Sequence, residues 1–434
     1  MDAIELISYD VPVVIFAYHI LILVIERIGE YVKCRVCESV TTLIVDFGKM
    51  PIANDFREDN VNETYRFNLA AIYCSKCYLI QLSEQPEPTL MFHDEYRFFT
   101  GLSSYMSEHF RNMVLSNLPS DYSTDYLISE IGCNDGTLLS NVAHLGIKHV
   151  GIDPSHNVVN AAKLKGVNAE AAFFSEQTSV ELVKKYGKAD LILAANVICH
   201  IPDINDIARG IKSFLKPEGK FIFEEPYIGS MIEKVSYDQL YDEHVFIFGA
   251  LSVQRIFEKH GLTLVACEPQ ITHGGSMRYT IMHEQTAKVQ NSVPLVLEQE
   301  RLNSLDELKT YLDFGKKCET RKSELVSLLR DLNKQGKRVA GYAATSKSTT
   351  VLNYCKIDSS LITHISDSTP EKIGTFTPGS HIPIISHEEM RANPPDFLVL
   401  FAWNHEKEIL QKESGLMDKK VKWIRFIPKV EIVN

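Results

Sequence analysis

The stretch Tyr126-Leu-Ile-Ser-Glu-Ile-Gly-Cys-Asn-Asp-Gly-Thr-Leu-Leu-Ser-Asn-Val-Ala-His-Leu145 decides the fold. An apolar run leads into two glycines and then into an amphipathic segment. Gly132 and Gly136 let the backbone turn sharply against a ligand, as a glycine-rich loop between strand and helix requires. A dinucleotide fingerprint puts a third glycine in a G-x-G-x-x-G frame, and Gly132-Cys133-Asn134 lacks it. Glu130 stands before the first glycine. An acid there suits a cationic methionyl group better than a pyrophosphate, which prefers bare helix N–H groups.

Working outward, apolar runs and amphipathic segments alternate from about Asp125 to Glu284: HVGID, ADLILAANV, GKFIFEEP and LTLVACEP, with NVVNAAKL and DIARGIKSFL between them. This alternation predicts an α/β fold, an open parallel sheet covered by helices on both faces. Asp153 ends the second run, where a carboxylate can accept both hydroxyls of a ribose. Asn196 and His200 lie at the carboxyl end of LILAANVICHIPD, where ligands sit in open α/β sheets. Residues 296–335 are charged and Leu-periodic, which predicts one or two long helices closed by Gly336. Beyond Gly336 the alternation resumes as a second, smaller α/β domain.

Cys34-Arg-Val-Cys37 and Cys74-Ser-Lys-Cys77 are two C-x-x-C knuckles. Each presents two thiolates from a tight turn, and together they complete a tetrahedral S4 zinc site with no open position, so the zinc is structural. Nine cysteines, an odd number with four at metal spacing, read as a reducing, cytoplasmic compartment rather than a disulfide framework. The formal charge of −11, with no basic stripe, disfavours a nucleic-acid partner. Val11 to Ile25 is almost wholly apolar. It falls short of the ~20 residues a spanning helix needs and follows Asp2, Glu5 and Asp10, so membrane association is the disfavoured reading. No pattern specifies an oligomeric state. The expected organisation is an apolar extension (1–33), a zinc module (34–110), a cofactor domain (111–290), a helical connector (291–335) and a C-terminal domain (336–434).

The ordered blocks extend well past the glycine loop: Asn196-Val-x-x-His200-Ile-Pro, Glu224-Glu-Pro-Tyr227, Tyr241-Asp-Glu-His244, His273-Gly-Gly-Ser-Met-Arg278, Gly341-Tyr-Ala-Ala, Pro378-Gly-Ser-His-Ile-Pro383 and Trp403-Asn404. With the two C-x-x-C pairs they resemble the zinc-containing sugar C-methyltransferase family that acts on dTDP-linked 4-keto deoxysugars. The resemblance covers about residues 34–430. It implies a central Rossmann-like class I methyltransferase domain that binds S-adenosylmethionine through Glu130, Gly132, Asn134, Gly136, Asp153 and Asn196. It implies a smaller Rossmann-like C-terminal domain that closes over the nucleotide-sugar, with Lys347, Arg278, Trp403 and Asn404 as candidate substrate contacts. His244 takes the base role, with Tyr241, Glu243, His200 and Tyr96 as further active-site groups. Two segments depart from the family pattern: the loop after Tyr96, and Thr345-Ser-Lys-Ser-Thr349, where the family has a Gly/Ala-rich turn ending in Lys-Gly-Asn.

Carbon methylation needs a carbanion equivalent, and a C–H beside a ketone supplies one once a neutral imidazole removes the proton. Carbon 3 of a 4-keto-6-deoxy sugar is the site the resemblance implies. An O- or N-methyltransferase on a related small molecule is the alternative enzyme. A non-catalytic zinc and nucleotide-sugar-binding protein is the alternative outside catalysis.

Overall fold

The computed structural model describes residues 32–58, 65–92, 100–102 and 104–433. The apolar stretch Val11–Ile25 and the candidate Tyr96 lie outside them. Three sheets organise the described chain. None of its helices is long and apolar enough to cross a membrane.

The first sheet is antiparallel: β1 (Thr42–Met50), β2 (Phe67–Cys74), β3 (Leu79–Leu82) and, from far along the chain, β9 (Phe246–Ile247), in the order β1-β2-β3-β9. Its sequence reads as weakly periodic because β2 and β3 are buried along almost their whole length. A strand covered on both faces has no polar face to alternate with. The cover on one side is the 27-residue helix Leu308–Lys334. Tyr311 of that helix stacks on Tyr73 with ring centroids 4.0 Å apart. Gly315 allows the close approach: a Cβ there would lie 2.3 Å from the Ile44 carbonyl oxygen.

The second sheet has seven strands in the order β10-β11-β8-β7-β4-β5-β6. They are β4 (Leu127–Ile131), β5 (Lys148–Asp153), β6 (Ala169–Ala171), β7 (Ala189–Ala195), β8 (Leu215–Pro226), β10 (Leu262–Gln270) and β11 (Ser276–His283). The first five are parallel, and β11 and β10 add antiparallel to the β8 edge. Every residue of β4 is buried, as expected of a central parallel strand covered by helices. Helix Ile204–Phe214 shows how the cover forms. Asp203 caps it by accepting from the Asp206 N–H, and Ile204, Ile207, Ala208, Ile211 and Phe214 recur on one buried face.

The third sheet, order β14-β13-β12-β15-β16-β17, comprises β12 (Val339–Tyr342), β13 (Ile365–Asp367), β14 (Ile384–Ser386), β15 (Phe397–Leu400), β16 (Lys422–Arg425) and β17 (Glu431–Val433). All but β17 are parallel. In the second and third sheets alike, the first strand is central, the next two lie to one side and the following two to the other. Ligands bind such sheets at the carboxyl ends of the strands where the winding reverses. One apolar core spans all three units: Phe47 of β1 meets Tyr354, and Tyr354 meets Tyr237, at centroid distances of 4.7 and 5.6 Å.

Candidate functional site

The carboxyl ends of the second and third sheets meet at the turn Tyr241–His244. This turn hangs between the short 3-10 helix Tyr237–Gln239 and β9, and it is closed by the His244 N–H donating to the Tyr241 carbonyl at 3.0 Å. The pairing of β9 with β3 anchors it to the first sheet. His244 is 4% exposed, so it cannot exchange partners freely with water. Its Nδ1 lies 2.7 Å from the Gln239 carbonyl oxygen, which can only accept, so Nδ1 carries the proton. Nε2 is then a lone pair, and it receives the Tyr241 hydroxyl at 2.8 Å. The His200 ring stacks on His244 at 5.4 Å, from the 3-10 turn Ile198–His200 that follows β7.

Burial, then the neighbouring His200, lower the His244 pKa well below the imidazole value. Burial alone lowers His200 to about 3. As pH falls through 6.5 both rings therefore stay neutral. The expected result is a nitrogen-15 histidine spectrum in which His244 keeps its Nδ1–H tautomer at pH 6. A ring that takes up a second proton near pH 6.5 contradicts this environment.

Charged groups ring the turn. Lys347, in the first turn of helix Ser346–Cys355, has a buried Nζ with no hydrogen-bond acceptor among the described residues and lies 5.6 Å from the centre of the Trp403 ring. Burial lowers its pKa, and Asp238 opposes that shift. Asp238 accepts from the Trp403 indole N–H at 2.6 Å, which fixes the ring. The Gln239 side chain donates to the His273 carbonyl at 2.6 Å, tying the hairpin between β10 and β11 to the same turn. Glu243 faces the other way across the turn and accepts from the Asn54 side chain at 2.7 Å. Ser346 in turn donates to Asn54 Oδ1 at 2.9 Å. Burial first, then the adjacent Asp242, raise the Glu243 pKa.

Behind His200, Glu225 accepts from the backbone N–H groups of Val197, Ile198 and Cys199 at 3.0, 2.7 and 3.2 Å. Three donors on one carboxylate fix the loop that carries His200. Burial, then the nearby Glu225, raise the Cys199 thiol's pKa well above its ordinary value, and its sulfur lies within 4.8 Å of a ring nitrogen of each of His200 and His244.

The glycine loop forms its own crevice beyond β4. Gly132 has φ +69°, and a Cβ there would lie 2.2 Å from Val197 Cγ2, so only glycine fits. Asp153 accepts from the Asn134 and Ser155 N–H groups, both at 3.0 Å. Glu130 is 6% exposed and one of its oxygens has no partner among the described residues. Burial, then repulsion from Asp153 and Asp135, raise its pKa well above the carboxylate range. Asn196, at φ +54°, also has a buried Oδ1 with no partner among the described residues. Acceptors without donors, among three carboxylates, fit a cationic ligand with amino and hydroxyl groups.

The four knuckle cysteines converge. Their sulfurs lie within 4.8 Å of one another, and Cys37 Sγ is 3.6 Å from Cys74 Sγ, close to the ~3.8 Å edge of a tetrahedron with 2.3 Å metal–sulfur bonds. The Gln81 side chain donates to Cys34 Sγ at 3.3 Å, and the Arg35 N–H donates to Gln81 Oε1 at 2.9 Å. Hydrogen bonds from the Cys74 and Cys77 thiols lower the Cys34 pKa, and the same contacts raise those of Cys74 and Cys77. This donor set fits zinc.

Of the remaining candidates, Trp403 and Lys347 stand at the turn, and Asn404 follows Trp403 in the 3-10 turn after β15. Arg278 points into a different network. Its Nη2 and Nε meet Glu224 at 2.9 and 3.2 Å, and Glu224 also binds His109 and the Thr272 hydroxyl. Sequence reasoning missed Asp238, Gln239 and Asn54. Asp238 and Gln239 lie just before the Tyr241 block and were open to discovery there. Asn54 carried no signal, because its partners lie 189 and 292 residues away.

Three families match along the chain: a "Putative zinc binding domain" at residues 34–92, a methyltransferase domain at 106–267 and a C-methyltransferase C-terminal domain at 271–428. The C-methyltransferase NovU of Streptomyces niveus is 31% identical over 407 residues, 93% of this chain and 97% of that protein. A ubiquinone biosynthesis O-methyltransferase of Bradyrhizobium diazoefficiens is 30% identical over 95 residues, 22% of this chain and 38% of that protein. Among solved structures, a SAM-dependent methyltransferase from Anabaena variabilis is 15% identical, with 42% of this chain and 85% of that one covered and a TM-score of 0.33.

Proposed function

This chain belongs to the C-methyltransferase family, and from that premise we propose that it methylates carbon 3 of a dTDP-linked 4-keto-6-deoxy sugar with S-adenosylmethionine. The observation that carries the reading is His244. It is a buried neutral imidazole whose Nε2 lone pair is set by the Gln239 carbonyl, at the meeting of two ligand crevices. A base held in one tautomer beside a phenol and a second imidazole suits removal of a proton next to a carbonyl.

S-adenosylmethionine, when bound, supplies an electrophilic methyl that leaves its sulfur with both electrons of the bond. Glu130, Asp153 and Asn196 hold its polar ends. His244 Nε2 takes the carbon-bound proton, and the pair left behind spreads onto the ketone oxygen as an enolate. The Tyr241 hydroxyl, which occupies the lone pair in the free protein, turns to that oxygen. A donor so placed is often worth ~3 kcal/mol in the transition state. Glu243, through Asn54, keeps the turn in register with Ser346 of the third unit. The zinc holds the first sheet, to which β9 fastens the turn. Four cysteines must stay reduced to bind it, in keeping with a cytoplasmic setting.

The test is to incubate the protein with methyl-labelled donor and a panel of dTDP-4-keto sugars, locating the label by NMR. The expected product carries it on a ring carbon, and substrate left without donor exchanges its C–H for solvent deuterium. Label on oxygen or nitrogen, without exchange, supports the rival methyltransferase reading. Absence of calorimetric donor binding supports the non-catalytic one.

A further inference from the structure

The second and third sheets share more than strand order: their first loops share one hydrogen-bond pattern, differing only in which loop N–H meets the aspartate, Asn134 two residues after Gly132 and Ala344 one after Ala343. In the second sheet the residue after the first strand, Gly132, has φ +69° and donates its N–H to the Ile152 carbonyl at 2.7 Å. Asp153, next in the chain, closes the second strand. One of its carboxylate oxygens accepts from the Asn134 N–H in the loop and the other from Ser155, two residues on. In the third sheet the residue after the first strand, Ala343, has φ +72° and donates to the Ser366 carbonyl at 2.8 Å. Asp367, next in the chain, closes the second strand. One oxygen accepts from the Ala344 N–H at 2.7 Å and the other from Thr369, again two residues on, at 2.8 Å. Asp153 is 8% exposed and Asp367 is 6%. The left-handed conformation is unfavourable for a residue with a side chain, yet Ala343 holds it.

Beyond the loop the two crevices differ in their first helix, which in the second sheet is only Ser140–Ala143. After the third sheet's first strand comes a helix of ten residues, Ser346–Cys355, with Lys347 in its first turn and a buried Nζ that has no acceptor among the described residues. After the fourth strand, where the second sheet carries His200, the third carries Trp403.

We propose that Asp367 accepts a pentose hydroxyl of the substrate nucleotide, with the diphosphate at Lys347 and the helix start, and the sugar at Trp403. This deepens the reading of a nucleotide-linked substrate and rests on it. Asp367 lies on the β13 side of the reversal in strand order and Trp403 on the β15 side, so the polarity of the ligand is fixed. The cofactor crevice has the same polarity, with Asp153 on one side and His200 on the other. The reactive ends of both ligands thereby converge on His244, which stacks on His200 and feels the charge of Lys347. A carboxylate bonded to two N–H groups keeps lone pairs for a hydroxyl, because its two oxygens offer about four acceptor sites.

The test is a thermodynamic cycle by calorimetry with the full chain. Thymidine 5′-diphosphate and its 3′-deoxy analogue are titrated into the parent and into Asp367→Asn, and S-adenosylmethionine binding serves as the folding control. The parent is expected to bind thymidine diphosphate about tenfold or more tightly than the 3′-deoxy analogue, the scale of a hydrogen bond to a charged group. Asp367→Asn should abolish that preference and keep donor binding. Lys347→Ala should weaken both nucleotides equally and preserve the preference. Equal affinity of the parent for the two nucleotides overturns the proposal even if Asp367→Asn fails to fold, and leaves the nucleotide-linked substrate standing. If the parent binds neither, the substrate reading itself falls, and this proposal with it.

Discussion

Replacing His244 with alanine is expected to slow methyl transfer by at least ~100-fold while leaving donor affinity unchanged. The two effects separate because the donor crevice is built from the loops after β4, β5 and β7, whereas His244 sits on the turn before β9. Its packing gives a second way to read the same change. The ring is bonded at both nitrogens and stacks on His200, so its removal leaves Tyr241 without its acceptor and opens a void. His244→Asn keeps most of the volume and a hydrogen-bonding side chain but has no base. Loss of rate in both variants, together with loss of deuterium exchange into the substrate, is the expected pattern. Full turnover in either variant removes His244 from the base role. Loss of turnover with exchange intact places its effect after proton removal.

The second large effect concerns the cysteine cluster. Cys77→Ser, or chelation under reducing conditions, is expected to release one zinc per chain, unfold the first sheet and reduce activity to background. Structural zinc contributes ~10 kcal/mol or more to small modules, comparable with the whole stability of a domain. Here the loss reaches the site, because β9 takes its pairing from β3 and the Asn54 side chain reaches Glu243. The comparison variant is Cys318→Ser, buried on the long helix away from the cluster, which should keep its zinc. Metal content by mass spectrometry and amide exchange at Ile80 and Ile247 give the readout. Zinc-free Cys77→Ser with parental protection at both positions would show that the sheet stands without its metal.

Much of this was legible in the sequence where local chemistry decides the outcome. The glycine loop, the continuous apolar strands and the paired cysteines each carry their reason within a few residues, and the structure places them as the spacing implies. The long helix begins at Leu308 and ends at Lys334, just before Gly336. What the sequence concealed arises from long-range contact. β9 is two residues long inside the apolar run Val245–Phe248, and nothing near it in the sequence says that it pairs with the edge of β3, far earlier in the chain. Arg278 sits in a block with active-site neighbours, but the buried Glu224 beside it on β8 claims the guanidinium. The likeness between the loops after β4 and β12 is equally hidden. One uses glycine and the other alanine at the left-handed position, so no shared letters record it.

The bridge from Asn54 to both Glu243 and Ser346 has a further implication for dissecting this enzyme. A recombinant piece cut at the family boundaries, such as residues 106–267, retains His244 and its tyrosine. It loses the amide that positions the turn, the strand that β9 borders and the lysine that faces the imidazole. Such a fragment is expected to carry the histidine without the contacts that place it as the proposed base.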